Sequence, residues 1–242
     1  MHLIKLNATE STNTFLKDYI RNNHAENYTV VSTLDQTKGR GQRNASWISE
    51  PGKNLTFSVL IKFDGLAIQD QFYISKVVSI AVKAVLVKIL PNNIVIKWPN
   101  DILADNKKIA GILIENSVQK GKVSQSVVGI GLNVNQEFFP NNITAVSMKN
   151  LSGTHWNLDV VLSAIVDSIK SHMYFLENEK FNEIDTEYLD NLYLFNKFSD
   201  YRDVKGNSFR GKIIGVSDIG KLQMALESGS NKEFDIKELK FV

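Results

Sequence analysis

The chain reads as a main domain of mixed helices and strands followed by a small β-barrel. Three observations predict this. Broad apolar stripes at helical spacing run through residues 67–90 and 158–175. Runs of β-branched and aromatic residues, bounded by polar breaks, lie before and between them. After residue 198 the texture changes to short strands separated by tight polar turns. A length of 242 residues leaves room for one large domain with a small satellite, and the predicted boundary near residue 194 divides it into 1–193 and 194–242. Hydrophobic residues at 43% and charged residues at 22% describe an ordinary soluble composition, and a net charge of +2 is too small to point to nucleic acid or a membrane. The absence of cysteine excludes disulfides, thiolate metal sites and a cysteine nucleophile, and it fits a cytoplasmic location. The N-terminus lacks the apolar run of a signal peptide, and the longest apolar region, residues 77–90, is broken by Ser79, Lys83 and Lys88.

Taken in order, Leu3 to Leu6 is a short strand. Ser11-Thr12-Asn13 then precedes Phe15, Leu16, Tyr19 and Ile20, spaced for one helical face, so a side chain of the triplet is placed to cap the helix. Strands follow at 28–33 and 54–62, with a long polar loop between them. The stripe from Ala67 to Leu90 reads as a core helix stopped by Pro91-Asn92-Asn93. Ile94 to Trp98 is a strand broken by Pro99-Asn100-Asp101. Ile102 to Ala104 pairs with Ile109 to Ile114 across Asp105-Asn106-Lys107, a turn without the usual glycine. The strand from Ser126 to Val134 contains Gly129 and Gly131, which weaken it and suggest that something approaches its backbone. Residues 136–153 read as a loop, 158–175 as a helix, 181–195 as a shorter helix, and 208–216, 221–226 and 232–236 as barrel strands.

The loop Gln36 to Trp47 carries three cations and two glycines within eight residues and no apolar periodicity. Loops of this length between strands are often binding loops, in which glycine lets a ligand come close and arginine bonds anions. A solvated surface loop is the alternative. Gly215-Val216-Ser217-Asp218-Ile219-Gly220-Lys221 nearly matches a P-loop, but Leu222 replaces the hydroxyl residue and no helix follows, so it reads as a hairpin turn. Gly39-Arg40-Gly41 lacks the third glycine and the helix of a dinucleotide fingerprint. The four histidines have no metal-ligand spacing, and no serine lies in a nucleophile elbow.

Four polar insertions remain: the loop, Lys97-Trp98-Pro99-Asn100-Asp101, Lys107 to Leu113, and Gly129 to Asn135. Together they supply cations, a carboxylate, amides, tryptophans and approachable backbone, as nucleotide binding without a P-loop requires. Singly, Trp98 reads equally as core, Asp101 as a turn residue and Lys108 as a strand-edge charge.

In order and wording, these blocks resemble the biotin–protein ligases: Ser11-Thr12-Asn13; Gln36 to Gly41 with Trp47; Lys97 to Ile102; Lys108 to Glu115; and Gly129 to Asn133. The resemblance implies an α+β catalytic domain with a mixed β-sheet, related to class II aminoacyl-tRNA synthetases and lipoyl ligases, followed by an SH3-like barrel. It implies ATP and Mg2+ as cofactors, biotin as substrate, activation to biotinyl-5′-AMP, and transfer to a lysine of a biotin carboxyl carrier protein. By the same resemblance Lys108 is the main electrostatic catalyst, Arg40 lies near the adenylate, and Gly39 and Gly41 close over the ligand. Ser11, Thr12, Asn13 and Gln36 fall in the blocks that bind biotin, Thr12 and Gln36 matching contacts to its ureido head. Gly111, Gly129 and Gly131 match close backbone contacts to the ring. Trp47 and Asn133 match positions on the ATP side, and Asn100 and Asp101 orient phosphate and magnesium, with Asp101 as metal ligand and guide of the carrier lysine.

Three positions depart from the family pattern: Gln42 stands where many members have a second arginine, Asn44 where they have glycine, and Ala45 where a basic residue is common. Lys38 and Arg43 are candidates to restore that charge. The chain begins almost at the first block, leaving no space for the DNA-binding segment of members that double as repressors, so the expectation is a ligase that binds neither DNA nor membrane. The oligomeric state is left open, a homodimer among the alternatives. A lipoate or octanoyl ligase of the same superfamily is the nearest rival reading, and a nucleic-acid-binding module the more distant one.

Overall fold

The computed structural model describes residues 2–242 except Arg43, Asn44 and Asn142. Seven strands form one sheet: β1 (Leu3–Thr9), β2 (Val30–Gln36), β3 (Leu55–Ala67), β4 (Ile94–Lys97), β5 (Asp101–Ala104), β6 (Lys107–Gln119) and β7 (Lys122–Leu132), in the order β1-β2-β3-β7-β6-β5-β4. β1 and β2 are parallel and every other neighbouring pair is antiparallel, so the sheet is mixed, as expected. The helices are α1 (Thr12–Asn22), α2 (Phe72–Ile89), α3 (Met148–Ser152), α4 (Leu158–Glu177) and α5 (Phe181–Asp190).

Strand alternation sorts the sheet's side chains between two faces. Val30, Val59, Ile61, Val128 and Ile130 join α2, α4 and α5 in the main core. Their neighbours Val31, Leu60 and Val127 pack against Leu16 of α1 in a second, smaller cluster. The helix α2 has apolar residues nearly all round, which fits its burial between the sheet and α4.

A second, antiparallel sheet comprises β8 (Phe198–Asp203), β9 (Ser208–Val216), β10 (Leu222–Leu226), β11 (Asn231–Phe234) and β12 (Leu239–Phe241), ordered β11-β10-β9-β8-β12. Its interior residues Tyr201, Ile213, Met224 and Phe234 belong to the same continuous core as α2. The turn between β9 and β10 docks on α2 and on the residue after β4: the Trp98 indole N–H donates to the Gly220 carbonyl at 2.9 Å, and the Tyr73 hydroxyl lies 3.1 Å from Asp218. This is the near-P-loop segment, and it is a hairpin turn as read.

Several boundaries differ from the sequence reading for identifiable reasons. The helix expected from Ala67 begins at Phe72, because β3 continues to Ala67 beside β7. The strands expected at 109–114 and 126–134 are longer and join as a hairpin through Lys120 (φ 50°) and Gly121 (φ 75°); their polar ends concealed them. The glycine-free turn between β5 and β6 forms because Asp105 and Asn106 both adopt positive φ, which short polar side chains tolerate. The expected 136–153 loop contains α3, started by a capping box between Ser147 and Asn150. The helix expected to reach 195 stops at Asp190, ahead of Leu194 and Asn196 at positive φ. Strands β8 and β12 were not distinguished in the sequence. No helix among the described residues is long and apolar enough to cross a membrane.

Candidate active site

The site lies on the α1 face of the main sheet, where strand register sets out its floor. One row across the sheet runs Thr56, Gly131, Gly111, Asp101, Lys97; a second runs Ser58, Gly129, Leu113; a third runs Leu60, Val127, Glu115. Glycines in the first two rows remove side chains from this face and leave a cavity of about 220 Å³ at the N-terminus of α1. The loop 36–47 crosses over it. Arg40 and Ser46 form an antiparallel bridge, and the Trp47 amide donates to Gly39 at 3.0 Å, so its described residues fold back as a small hairpin.

Most of the predicted site residues meet in this cavity. Ser11, Thr12, Asn13 and Gln36 line one end, Asn100, Asp101 and Lys108 the other, and Arg40, Gly41 and Trp47 border it from the loop. Gly111, Gly129 and Gly131 lie in its floor. Gly39 lines the adjoining depression with Glu115. Asn133 is not brought to the cavity: it is 3% exposed, and its amide donates to the Val146 carbonyl at 3.1 Å, tying down the chain after β7. Arg43 and Asn44 lie outside the described residues.

The helix-capping reading of Ser11-Thr12-Asn13 gives way to a tertiary one. Ser11 occupies the N-cap position but makes no side-chain cap bond. The Gln36 side-chain oxygen accepts from the Thr12 amide at 2.9 Å, and Asn13 bonds Ser58 at 2.6 Å and Glu115 at 2.8 Å. What approaches Gly129 is likewise internal, because a Cβ there would fall 2.4 Å from Asn13 Oδ1. At Gly131 the neighbour is the Trp47 indole, with 2.3 Å from an added Cβ to Cε2.

At the charged end, Lys108 Nζ pairs with Asp101 at 2.7 Å and lies 5.6 Å from the centre of the Trp47 ring. Asn100 is braced by its amide donating to the Ile112 carbonyl at 2.7 Å. Burial lowers the Lys97 pKa from its ordinary value; nearby Asp101 opposes that shift and Lys108 adds to it. No cluster of three or more potential metal-ligating side chains occurs among the described residues, and Asp101 is the carboxylate facing the cavity. That donor set suits a magnesium ion held mainly by phosphates rather than by a protein cage.

Two residues to which the sequence reading gave no site role complete the site. Glu115 accepts from Lys17 and Asn13, each at 2.8 Å, and lies 3.5 Å from Arg40, whose guanidinium also donates to Thr14 at 2.9 Å. Burial would raise the Glu115 pKa, but the Lys17 and Asn13 hydrogen bonds and the Lys17 and Arg40 charges outweigh it and hold the carboxyl below its usual range. Ser58, fully buried on β3, links Thr12 to Asn13. The signal for Glu115 was a carboxylate closing an otherwise apolar strand segment; Ser58 gave none.

Known proteins resemble the chain in sequence and in fold. Residues 6–133 match the model of the biotin/lipoate A/B protein ligase family. The bifunctional ligase/repressor BirA of Bacillus subtilis is 28% identical over 235 residues, covering 96% of this chain and 71% of its own. A biotin–[acetyl-CoA-carboxylase] ligase of Mycobacterium tuberculosis is 34% identical over 112 residues, 44% of this chain and 40% of its own. The biotin protein ligase of Aquifex aeolicus, solved with biotin and ATP, superposes with a TM-score of 0.80 at 27% identity, over 100% of this chain and 99% of that one. The family match spans more than half of the sequence and includes both ends of the cavity, and the chain therefore belongs to the biotin/lipoate A/B protein ligase family.

Proposed function

We propose that this protein is a biotin–protein ligase that makes biotinyl-5′-AMP from biotin and ATP and passes the biotinyl group to a lysine of a biotin carboxyl carrier domain. The observation that carries the proposal is the polarity of the cavity, with neutral hydrogen-bonding groups at Thr12 and Gln36, a glycine floor, and Lys108 with Asp101 at the far end. A bicyclic urea with a carboxylate tail matches that sequence of environments. The complexes of the Aquifex aeolicus enzyme with biotin and ATP support the same reading.

In the first step a biotin carboxylate oxygen attacks the α-phosphorus of ATP, and the bond to pyrophosphate breaks. Two anions must meet, so the barrier falls with every cation fixed near them, each charged hydrogen bond contributing about 1.5–3 kcal/mol. Lys108 takes this role, held by Asp101 so that little reorganisation is needed. On this reading Arg40, which here donates to Thr14, turns to meet the adenylate phosphate. Magnesium, when bound with ATP, would neutralise phosphate charge, with Asp101 as its protein ligand and Asn100 beside it. In the second step the carrier amine attacks the acyl carbon, AMP leaves, and the amine loses a proton; on this reading Asp101 orients that amine.

Biotin-dependent exchange of pyrophosphate into ATP tests the proposal. Exchange supported by biotin and not by lipoate is expected. Exchange dependent on lipoate alone would replace this reading with that of a lipoate ligase of the same family.

A further inference from the structure

The hydrogen bonds beneath the cavity form a continuous chain whose direction follows atom by atom. The Glu115 carboxylate only accepts, so the Asn13 atom 2.8 Å from it is the amide nitrogen, which also donates to the Leu113 carbonyl at 3.3 Å. Asn13 Oδ1 therefore faces Ser58, and because a carbonyl oxygen cannot donate, the Ser58 proton lies in that 2.6 Å contact. Ser58 has no second proton. Its 2.7 Å contact with Thr12 must be filled by the Thr12 hydroxyl proton. Thr12 Oγ1 thus has only lone pairs to offer the cavity. The Gln36 carbonyl oxygen, 3.2 Å from that hydroxyl and the more distant of its two possible acceptors, is fixed beside it by the Thr12 amide.

We propose that Glu115, relayed through Ser58, is a positioning residue that makes the Thr12 and Gln36 oxygens a pair of hydrogen-bond acceptors, so that this end of the cavity selects a ligand presenting N–H donors. The inference rests on the biotin reading, in which those donors are the ureido N–H groups. Neither Glu115 nor Ser58 touches the ligand. A hydroxyl left free to rotate would serve a donor or an acceptor equally, and the chain removes that freedom. Gly129 is part of the device, since any side chain there would push the Asn13 amide off Ser58.

The test is calorimetric titration of the full chain with biotin and with the two cyclic carbamates in which one or the other ureido N–H is replaced by a ring oxygen. Wild type is expected to bind biotin roughly tenfold or more tightly than at least one carbamate, the scale of one lost hydrogen bond. Glu115→Gln, whose amide can point either way, and Ser58→Ala, which cuts the relay while leaving the Glu115 ion pairs in place, should each reduce that ratio to about threefold or less. A purely structural role would lower the melting temperature and weaken all three ligands alike, and an unchanged ratio in a folded variant overturns the inference. Equal binding of biotin and both carbamates by wild type also overturns it while leaving the biotin reading intact. Failure of wild type to bind biotin at all overturns that reading and the inference with it. If one variant does not fold, the other decides.

Discussion

Alanine at Gly131 should expose how the loop and floor form the cavity together. Gly131 does not adopt positive φ, so alanine meets no backbone strain there and its effect is steric. The added Cβ would lie 2.3 Å from Cε2 and 2.6 Å from Cζ2 of Trp47, against about 3.5–4.0 Å for ordinary carbon contact. An overlap above 1 Å forces either the indole or the strand to move, and overpacking of this kind costs about 1–3 kcal/mol. Because Trp47 belongs to a loop, the indole should yield first, and the loss should appear as about a 5- to 150-fold weaker dissociation constant for biotin. The assay is a double-mutant cycle on biotin affinity with Gly131→Ala, Trp47→Ala and the pair. If the clash is with the indole, removing Trp47 relieves it, and the two changes should be non-additive by at least about 0.5 kcal/mol. Additivity within about 0.3 kcal/mol would refute the assignment of Trp47 as the neighbour that makes glycine necessary.

Four further outcomes are expected. Lys108→Ala should lower biotin-dependent pyrophosphate exchange by about 10²–10³ while changing biotin affinity only a few-fold; near-normal exchange would remove Lys108 as the electrostatic centre. If the position of Gln42 normally restrains the adenylate, Gln42→Arg should slow biotinyl-AMP release, and a wild-type rate no faster than the variant's would sink that idea. Trp98→Phe deletes the donor to the Gly220 carbonyl and should cost about 1–2 kcal/mol in urea unfolding, whereas an unshifted midpoint would show that this contact contributes nothing. The Glu115 pKa is lower folded than unfolded, so its stabilisation is complete above the ordinary carboxylate range and is lost as pH falls through the lowered folded value. The stability gap between wild type and Glu115→Gln should therefore narrow on acidification, and a constant gap from neutral pH to pH ~3 would contradict the ion pairing.

The parts of the fold that were legible in the sequence are those with a local cause. The α2 and α4 stripes and the Pro91 break are periodic or stereochemical signals, and the structure places helices there. The ends of β6 and β7 were hidden because Ser117 to Lys122 is polar, and only pairing between the two strands makes it a hairpin. The same division runs through the site. Lys108, Asp101, Arg40, Gly41 and Trp47 stood out by charge and wording, and they line one cavity. Asn133 stood in the same wording but does not line that cavity; its amide donates to the Val146 carbonyl and secures the segment that follows β7.

The Ser11-Thr12-Asn13 triplet shows where local reading stops. Hydroxyl and amide side chains before an amphipathic stretch are what a helix cap requires, and nothing within that stretch argues otherwise. The alternative partners come from strands 24 to 102 residues away: Gln36 at the end of β2, Ser58 on β3 and Glu115 on β6. Burial decides between the two uses. Thr12 and Asn13 are 3% and 2% exposed, so bulk water reaches little of either, and their polar atoms take partners that the sheet supplies. Strand register puts Ser58 beside Gly129 and Glu115 beside Val127 on the face that α1 covers. A serine or a glutamate in a strand is unremarkable until register shows which buried amide it faces. The chemistry of this end of the cavity is therefore encoded in the pairing of β3, β7 and β6 rather than in the Ser11-Thr12-Asn13 motif alone.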